Sequence, residues 1–173
     1  AKGDHDARRA DVAEAVWRVL ASHGFGGLTM RAVAGELGAS TGLLTHYFRS
    51  KRELVHYAHE VASARTETRP RMTADTPGLA ALRVALLNVL PLTPESAAMS
   101  RVWVSFWDAA LGDETLNKAQ RARYEKGAQP SDTATEAAAF AHGLVVQALF
   151  DPDRFPARRQ RTLLDNFLSD LTR

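Results

Sequence analysis

Residues 28–51 read LTMRAVAGELGASTGLLTHYFRSK, and the reading of this stretch decides the fold. Thr29 is a good N-cap type placed directly before Met30 to Leu37, where Val33, Ala34 and Leu37 fall on one helical face. Gly38 ends that run, because glycine enters left-handed backbone without steric cost. Ala39 fills the turn, and Ser40 stands as cap for a following helix, Thr41 to Phe48. Leu44, Tyr47 and Phe48 supply that helix's hydrophobic contact, and Ala34 is small where the two axes should cross. Two short close-packed helices around a tight turn form a helix-turn-helix, the arrangement that sets one helix into the major groove of DNA.

The outward positions of the second of these helices are Thr41, Gly42, Leu43, Thr45 and His46. Threonine hydroxyls can bond base edges, and threonine methyls or Leu43 can touch a thymine methyl. Gly42 lets the backbone approach, and Arg31 is long enough to reach guanine or a phosphate. The next helix opens at Ser50 with Glu53 three residues on, a capping box. Its first backbone amides form an anion site beside Lys51, and the Tyr47 hydroxyl can reach the same strand. Spacing alone leaves a second reading open. Paired short helices occur without nucleic acid, with Tyr47 and Phe48 as core residues and His46 simply solvated.

Outward from this motif the chain reads as helix throughout. A first helix, Ala7 to His23, carries the stripe Val12, Ala15, Val16, Val19, Leu20, with Gly24 as its stop and Phe25 turned back into the core. A fourth helix runs from Lys51 towards Pro70, and a loop covers 69–77. Further helices are expected at Leu79–Leu90, Pro94–Leu111, Glu114–Lys126, Thr133–Phe150 and Pro156–Leu171, with a polar turn at 127–132. Thr93-Pro94-Glu95 is a strong helix start. The expected fold is all-α: an N-terminal three-helix helix-turn-helix DNA-binding domain, residues 1–50, then an all-helical ligand-binding and dimerisation domain, residues 51–173.

Composition narrows the function classes. The 173 residues hold no cysteine, which excludes disulfides, thiolate chemistry and cysteine-bound zinc. The net charge of +2 lies entirely in residues 1–55, with eight Lys/Arg against six acids. That excess favours a nucleic-acid partner, although an imbalance this small also arises by chance. No run approaches ~18 apolar residues, so no membrane span is expected. The opening AKGDHDARRA lacks the apolar region of a secretory signal, and a cytoplasmic protein is the expectation. His56, His59 and Glu60 lie close together on one helix, yet H-E-x-x-H, G-x-S-x-G and glycine phosphate loops are absent. No enzymatic activity, catalytic residue, cofactor or metal is expected. A helical protein-interaction module is the other rival.

The run LTMRAVAGELGASTGLLTHYFRSKRELV closely resembles the DNA-binding segment of TetR-family transcriptional regulators, through its glycine turn, the Tyr47-Phe48 pair and Lys51. RVWVSFWDAAL and AHGLVVQALFDPDRF look most like the BetI-like branch. The resemblance implies a homodimer on a palindromic double-stranded operator, repressing until a small-molecule effector arrives. It implies that Arg31, Thr41, Gly42, Leu43, Thr45 and His46 face bases, and that Thr29, Tyr47 and Lys51 face phosphates. Thr45 stands where some members carry an aromatic residue, and Leu43 where threonine is frequent, so base preference does not transfer. The stretch Arg123–Asp132 is shorter than in similar proteins, by deletion or by omission of a segment.

Trp103, Phe106 and Trp107 occupy positions i, i+3 and i+4 of the sixth helix. They are either ordinary core or the lining of an effector cavity, with His56, Asp108 and Tyr124 as polar lining. An aromatic cage would hold a cationic ligand by cation–π attraction, and no pair of arginines marks an anion site. Gly143, Val146, Leu149 and Phe150 form one stripe, facing Leu163, Leu164, Phe167 and Leu168 of the last helix. These belong either to a twofold four-helix dimer interface or to an intramolecular core. A ligand that tilts the fourth helix would alter the spacing of the two reading helices.

Overall fold

The computed structural model describes residues 2–125 and 132–171. They form nine helices: α1 Lys2–His23, α2 Met30–Leu37, α3 Thr41–Tyr47, α4 Lys51–Thr68, α5 Leu79–Leu87, α6 Pro94–Gly112, α7 Glu114–Glu125, α8 Asp132–Phe150 and α9 Ala157–Asp170. The all-α expectation holds, with no strand among the described residues. The chain divides into two compact units. One runs up to Arg69 and includes Ser105–Leu116; the other comprises Pro70–Val104 and the chain from Asn117 onward.

In the first unit the α1 stripe of Val12, Ala15, Val16, Val19 and Leu20 is fully buried. It packs on α2 and α4, and α2 packs on α3. Val33, Ala34, Leu44, Leu54, Ala58 and Ala62 complete this core. Burying each large aliphatic side chain stabilises the unit by about 1.5–3 kcal/mol. Phe25 does turn back inward, its ring centroid 5.1 Å from that of Phe106. Arg18 pairs with Glu36 at 2.9 Å and joins α1 to α2, while Arg65 of α4 pairs with Glu14 and lies over the Trp17 ring. These exposed pairs fix orientation more than they add stability.

Two glycines set the turns. Gly24 has φ +63° and closes α1 through its N–H to the Leu20 carbonyl. Gly38 has φ +62°, and the N–H groups of Gly38 and Ala39 bond back to Gly35 and Ala34. Those two bonds form a Schellman stop, which fixes the direction in which the chain re-enters α3.

In the second unit, Leu86, Leu87 and Leu90 meet Ala137, Ala141, Leu144, Val145 and Ala148 of α8 and Phe155, Leu164 and Leu168 around α9. Arg83 grips Asp165 with two bonds of 2.6 and 3.0 Å, clamping α5 to α9. The buried Gln160 amide donates to the Phe155 and Pro91 carbonyls.

Several boundaries differ from expectation. The first helix begins at Lys2 rather than Ala7. The fifth ends at Leu87 rather than Leu90, because the Asn88 amide bonds both the N–H and the C=O of Met72, and Pro91 bars continuation. The third ends at Tyr47, with Phe48 extended and its ring 5.1 Å from Tyr57. Ser40 holds the N-cap position of α3 without making a side-chain cap bond. Leu164 is 0% exposed and belongs to the core of its own subunit, so it offers nothing to a partner. Most of the expected turn at 127–132, and with it the question of chain length between Arg123 and Asp132, lies outside the described residues.

Candidate nucleic-acid interface and effector residues

The turn after Gly38 delivers a seven-residue α3 that is held from below by Leu44 and, just past its end, by Phe48, both buried. Opposite them Thr41, Gly42, Thr45 and His46 are exposed, and Leu43 and Tyr47 are half-buried on the flanks. The Thr45 hydroxyl donates to the Gly42 carbonyl at 2.7 Å, which settles its proton and leaves its lone pairs open. Gly42 has only the Ser40 hydroxyl near the place of a missing side chain, at 3.6 Å. A backbone lacking a Cβ there can approach a base edge closely.

The flanking positions carry hydrogen-bond donors and cationic side chains. Thr29 caps α2, accepting from the Ala32 N–H at 3.0 Å, and keeps its hydroxyl proton for a second partner. Arg31 is exposed on the first turn of α2. Ser50 caps α4 by accepting from the Glu53 N–H at 3.2 Å, and the Glu53 carboxylate accepts from the Arg49 N–H at 2.7 Å. The capping box therefore forms with its return bond one residue further back than usual. The N–H groups of Lys51 and Arg52 have no acceptor within α4 by helix geometry, and the exposed Lys51 side chain stands beside them.

The residues expected to line an effector cavity separate between the two units. His56, Phe106, Trp107 and Asp108 lie in the first; Trp103 and Tyr124 lie in the second. Phe106 is fully enclosed, stacked on the His59 ring at 4.8 Å and tilted against Phe25, so it is core rather than lining. Asp108 is exposed and Trp107 half-buried. Trp103 is nearly buried, with the Arg123 guanidinium 3.4 Å from its ring centroid. Tyr124 is half exposed, and its ring lies 5.7 Å from that of His142.

His56 has a different role from the one expected. Its Nε2 bonds the Asp113 Oδ2 at 3.1 Å, and Arg52 Nε donates to the same oxygen at 2.8 Å. The other oxygen of Asp113 accepts from the N–H groups of Thr115 and Leu116 and so caps α7. One carboxylate thus both starts α7 and holds two side chains of α4. The break between Leu111 and Glu114 was legible in the sequence; the partners of Asp113, more than fifty residues away, were not. The His56 bond foremost, then the Leu116 N–H, holds the Asp113 carboxyl down to about 2. A lowered carboxylate contributes fully above its ordinary value near 4 and loses that contribution as pH falls through its folded value. The carbonyl resonance of Asp113 is expected to titrate near pH 2, and a midpoint near 4 would show that the Arg52–Asp113–His56 knot does not form in solution.

Among the dimer candidates, Phe150 is 85% exposed and Gly143 is open, with nothing within 4 Å of the place of its missing Cβ. Val146 is half-buried, and Leu149, Leu163 and Phe167 pack partly against the subunit core. Phe167 stacks flat on Phe140 at 4.2 Å. No described helix is long and apolar enough to cross a membrane.

This turn and reading helix, followed by helical elements, are those of a transcriptional regulator. Residues 12–58 match the family model described as bacterial regulatory proteins, tetR family, and residues 78–129 and 125–173 match that of the BetI-type transcriptional repressor, C-terminal. The chain belongs to the TetR family of transcriptional regulators. It is 34% identical over 105 residues to the HTH-type transcriptional regulator PksA of Bacillus subtilis, covering 60% of this chain and 51% of that protein. It is 31% identical over 124 residues to the HTH-type transcriptional regulator BetI of Burkholderia mallei, covering 69% of this chain and 63% of the relative. The matches therefore span about half to just under two thirds of these relatives. A transcriptional regulator from Rhodococcus sp. Rha1 shares the fold at a TM-score of 0.76 and 24% identity, over 92% of this chain and 93% of the other. A regulator from Saccharomonospora viridis, solved in complex with choline, shares it at 0.72 and 20% identity, over 95% and 96%.

Proposed function

We propose that the protein is a cytoplasmic, ligand-responsive repressor that binds a palindromic DNA operator as a homodimer and leaves it when a small-molecule effector binds. The observation that carries this reading is the exposed row Thr41, Gly42, Thr45 and His46 on a short helix anchored from the opposite side. In this reading Arg31 and Leu43 extend the base-reading row, and Thr29, Tyr47 and Lys51 position the protein on phosphates without adding sequence information. Residues 1–50 supply the reader, and residues 51–173 supply effector binding and dimerisation. Gly143, Val146, Leu149, Phe150, Leu163 and Phe167 supply the twofold contact, and Trp103 and Tyr124 of the second unit are the residues nearest to the effector role.

Signal transfer runs through α4, whose N-terminus stands at the phosphate and whose Arg52 and His56 are tied to Asp113 at the α6–α7 turn. An effector favouring another setting of that turn would tilt α4. A coupling of about 1–3 kcal/mol would weaken operator binding roughly 5–150-fold.

Lys51→Ala is expected to weaken binding to operator DNA selected from random duplexes by about tenfold, and to flatten the salt dependence by about one ion per subunit. Thermal stability should stay unchanged, because Lys51 is exposed. Fluorescence anisotropy across a salt series reads both quantities. Equal binding by Lys51→Ala and Tyr47→Ala variants would favour a helical interaction module in place of a DNA reader.

A further inference from the structure

The inward face of α1 changes character at its N-terminal end. From Val12 to Leu20 it is aliphatic and buried, packed on α2 and α4. Arg8 and Arg9 stand four and three residues before Val12 and flank the same face. Both are exposed. A core-facing stripe that turns cationic marks the edge of the unit, because unpaired charge is costly to bury. What lies beyond that edge is either water or a negatively charged partner.

The contacts between α1 and α4 show which edge this is. Arg65, near the end of α4, pairs with Glu14 and lies over the Trp17 ring. Nearer the start of α4, Arg9 acts on Tyr57: burial pushes the Tyr57 hydroxyl up, and the Arg9 charge, opposed by that of Glu60, pulls it down. Passing from Arg9 to Glu14 on α1 thus accompanies passing from Tyr57 to Arg65 on α4, so the two helices run the same way. Arg8 and Arg9 therefore stand at the end of the unit where α4 begins, on the side of Lys51 and of Phe48, whose ring lies 5.1 Å from that of Tyr57.

We propose that Arg8 and Arg9 of α1 grip the DNA backbone at a phosphate separate from the one at the start of α4, widening the footprint of each reader beyond the helix-turn-helix. This rests on the reading of α3 and the start of α4 as the DNA-facing elements. The reach fits. Tyr57 lies six residues past Lys51, about 9 Å along the axis. Side chains on a helix lean toward its N-terminus, here toward the DNA, and a long arginine recovers part of that distance. Packed helices stand about 8–10 Å apart, so anchors on α1 and α4 meet different phosphates. The charge is also uncommitted. Among the described residues neither Arg8 nor Arg9 forms an ion pair, whereas Arg18, Arg52, Arg65 and Arg83 each do. A guanidinium matches a phosphate with two parallel bonds.

The test uses the full chain, operator DNA selected from random duplexes, and fluorescence anisotropy across a salt series. Arg8→Gln and Arg9→Gln together are expected to weaken binding about tenfold and to flatten the salt dependence by about one to two ions per subunit. The loss should be equal on the operator and on one with a single exchanged base pair, since backbone contacts carry no sequence information. Arg8→Lys with Arg9→Lys should keep the salt dependence of the wild type. The melting temperature should stay unchanged in both, because the two side chains are exposed. Methylphosphonates, which remove the charge of single phosphates, then locate the contact. The wild type should be sensitive at one phosphate that the glutamine variant ignores and that Lys51→Ala still feels. An unchanged salt dependence or an unchanged methylphosphonate map in the glutamine variant overturns the proposal. If Lys51→Ala loses its ion in the same series, the reader stands and only α1 leaves the footprint. If none of these variants alters binding, the DNA-facing reading of α4 falls as well.

Discussion

On the proposal that the protein is a homodimer, Phe150→Glu is expected to yield a monomer whose hold on operator DNA falls by about 10²–10⁴-fold, the advantage that linking two readers confers. Phe150 is 85% exposed at the end of α8, two turns beyond the open Gly143 on the same stripe, with Val146 between them. A large aromatic left in water beside a glycine that admits close approach fits a helix–helix contact with a second copy. Glutamate there would bury a charge without a partner, which a twofold interface would meet twice. Because Phe150 makes so little contact within its own subunit, the variant's melting temperature should change little when measured as monomer. Sedimentation equilibrium and operator titration together check the result. A variant that remains dimeric and binds operator as before would remove α8 from the interface. Leu164→Ala serves as the contrast: from a fully buried position it should cost about 2–5 kcal/mol of stability rather than dissociate subunits.

Gly24→Ala should destabilise the reader by about 2–5 kcal/mol, while Gly38→Ala costs only about 1–2 kcal/mol, although both glycines adopt nearly the same left-handed conformation. The difference is what a methyl group meets. At Gly38 there is open space. At Gly24 a Cβ would stand 2.7 Å from the Ser105 hydroxyl and 2.8 Å from its Cβ, and that hydroxyl is already engaged by the Phe25 N–H at 3.0 Å. Alanine there must displace α6 or break the bond that turns Phe25 inward. Denaturant titration of the two variants reads the contrast, and Ser105→Gly should recover part of the loss only in the Gly24 background. Equal losses at the two positions would mean that α1 and α6 are not in contact there.

The sequence carried the fold wherever a local rule was enough. The α1 stripe, both glycine stops, the Thr29 cap and the Ser50–Glu53 box were each legible because every one involves residues within a turn or two of one another. Helix α5 was misjudged by a turn because its end is set by Asn88 reaching Met72, a contact no periodicity encodes. The exposure of Thr41, Gly42, Thr45 and His46 on α3 was legible for the same local reason as the fold, whereas Leu43, expected outward, is half-buried. The packing around the residues expected to line an effector cavity was not legible. Three aromatics at helical spacing cannot say which is enclosed, and only the packing shows Phe106 in the core and Trp103 beneath Arg123. Asp113 fell in the expected break between the sixth and seventh helices, but its grip on Arg52 and His56 depends on tertiary placement. Leu164 fitted the interface stripe by spacing and was claimed by the intramolecular core, since an amphipathic helix pattern does not distinguish burial against self from burial against a copy.

The way α3 is fastened has an evolutionary reading. Its hold on the protein passes through Leu44 and the neighbouring Phe48, leaving Thr41, Gly42, Thr45 and His46 with no packing duty. In the proposed reading role, substitutions at these four positions change what the helix says to DNA at almost no cost to folding, since exposed side chains rarely shift stability by more than about 0.5 kcal/mol. Target sites can drift, and duplicated copies can acquire new ones, without first gathering stabilising changes elsewhere. The vocabulary of the reader is decoupled from its architecture.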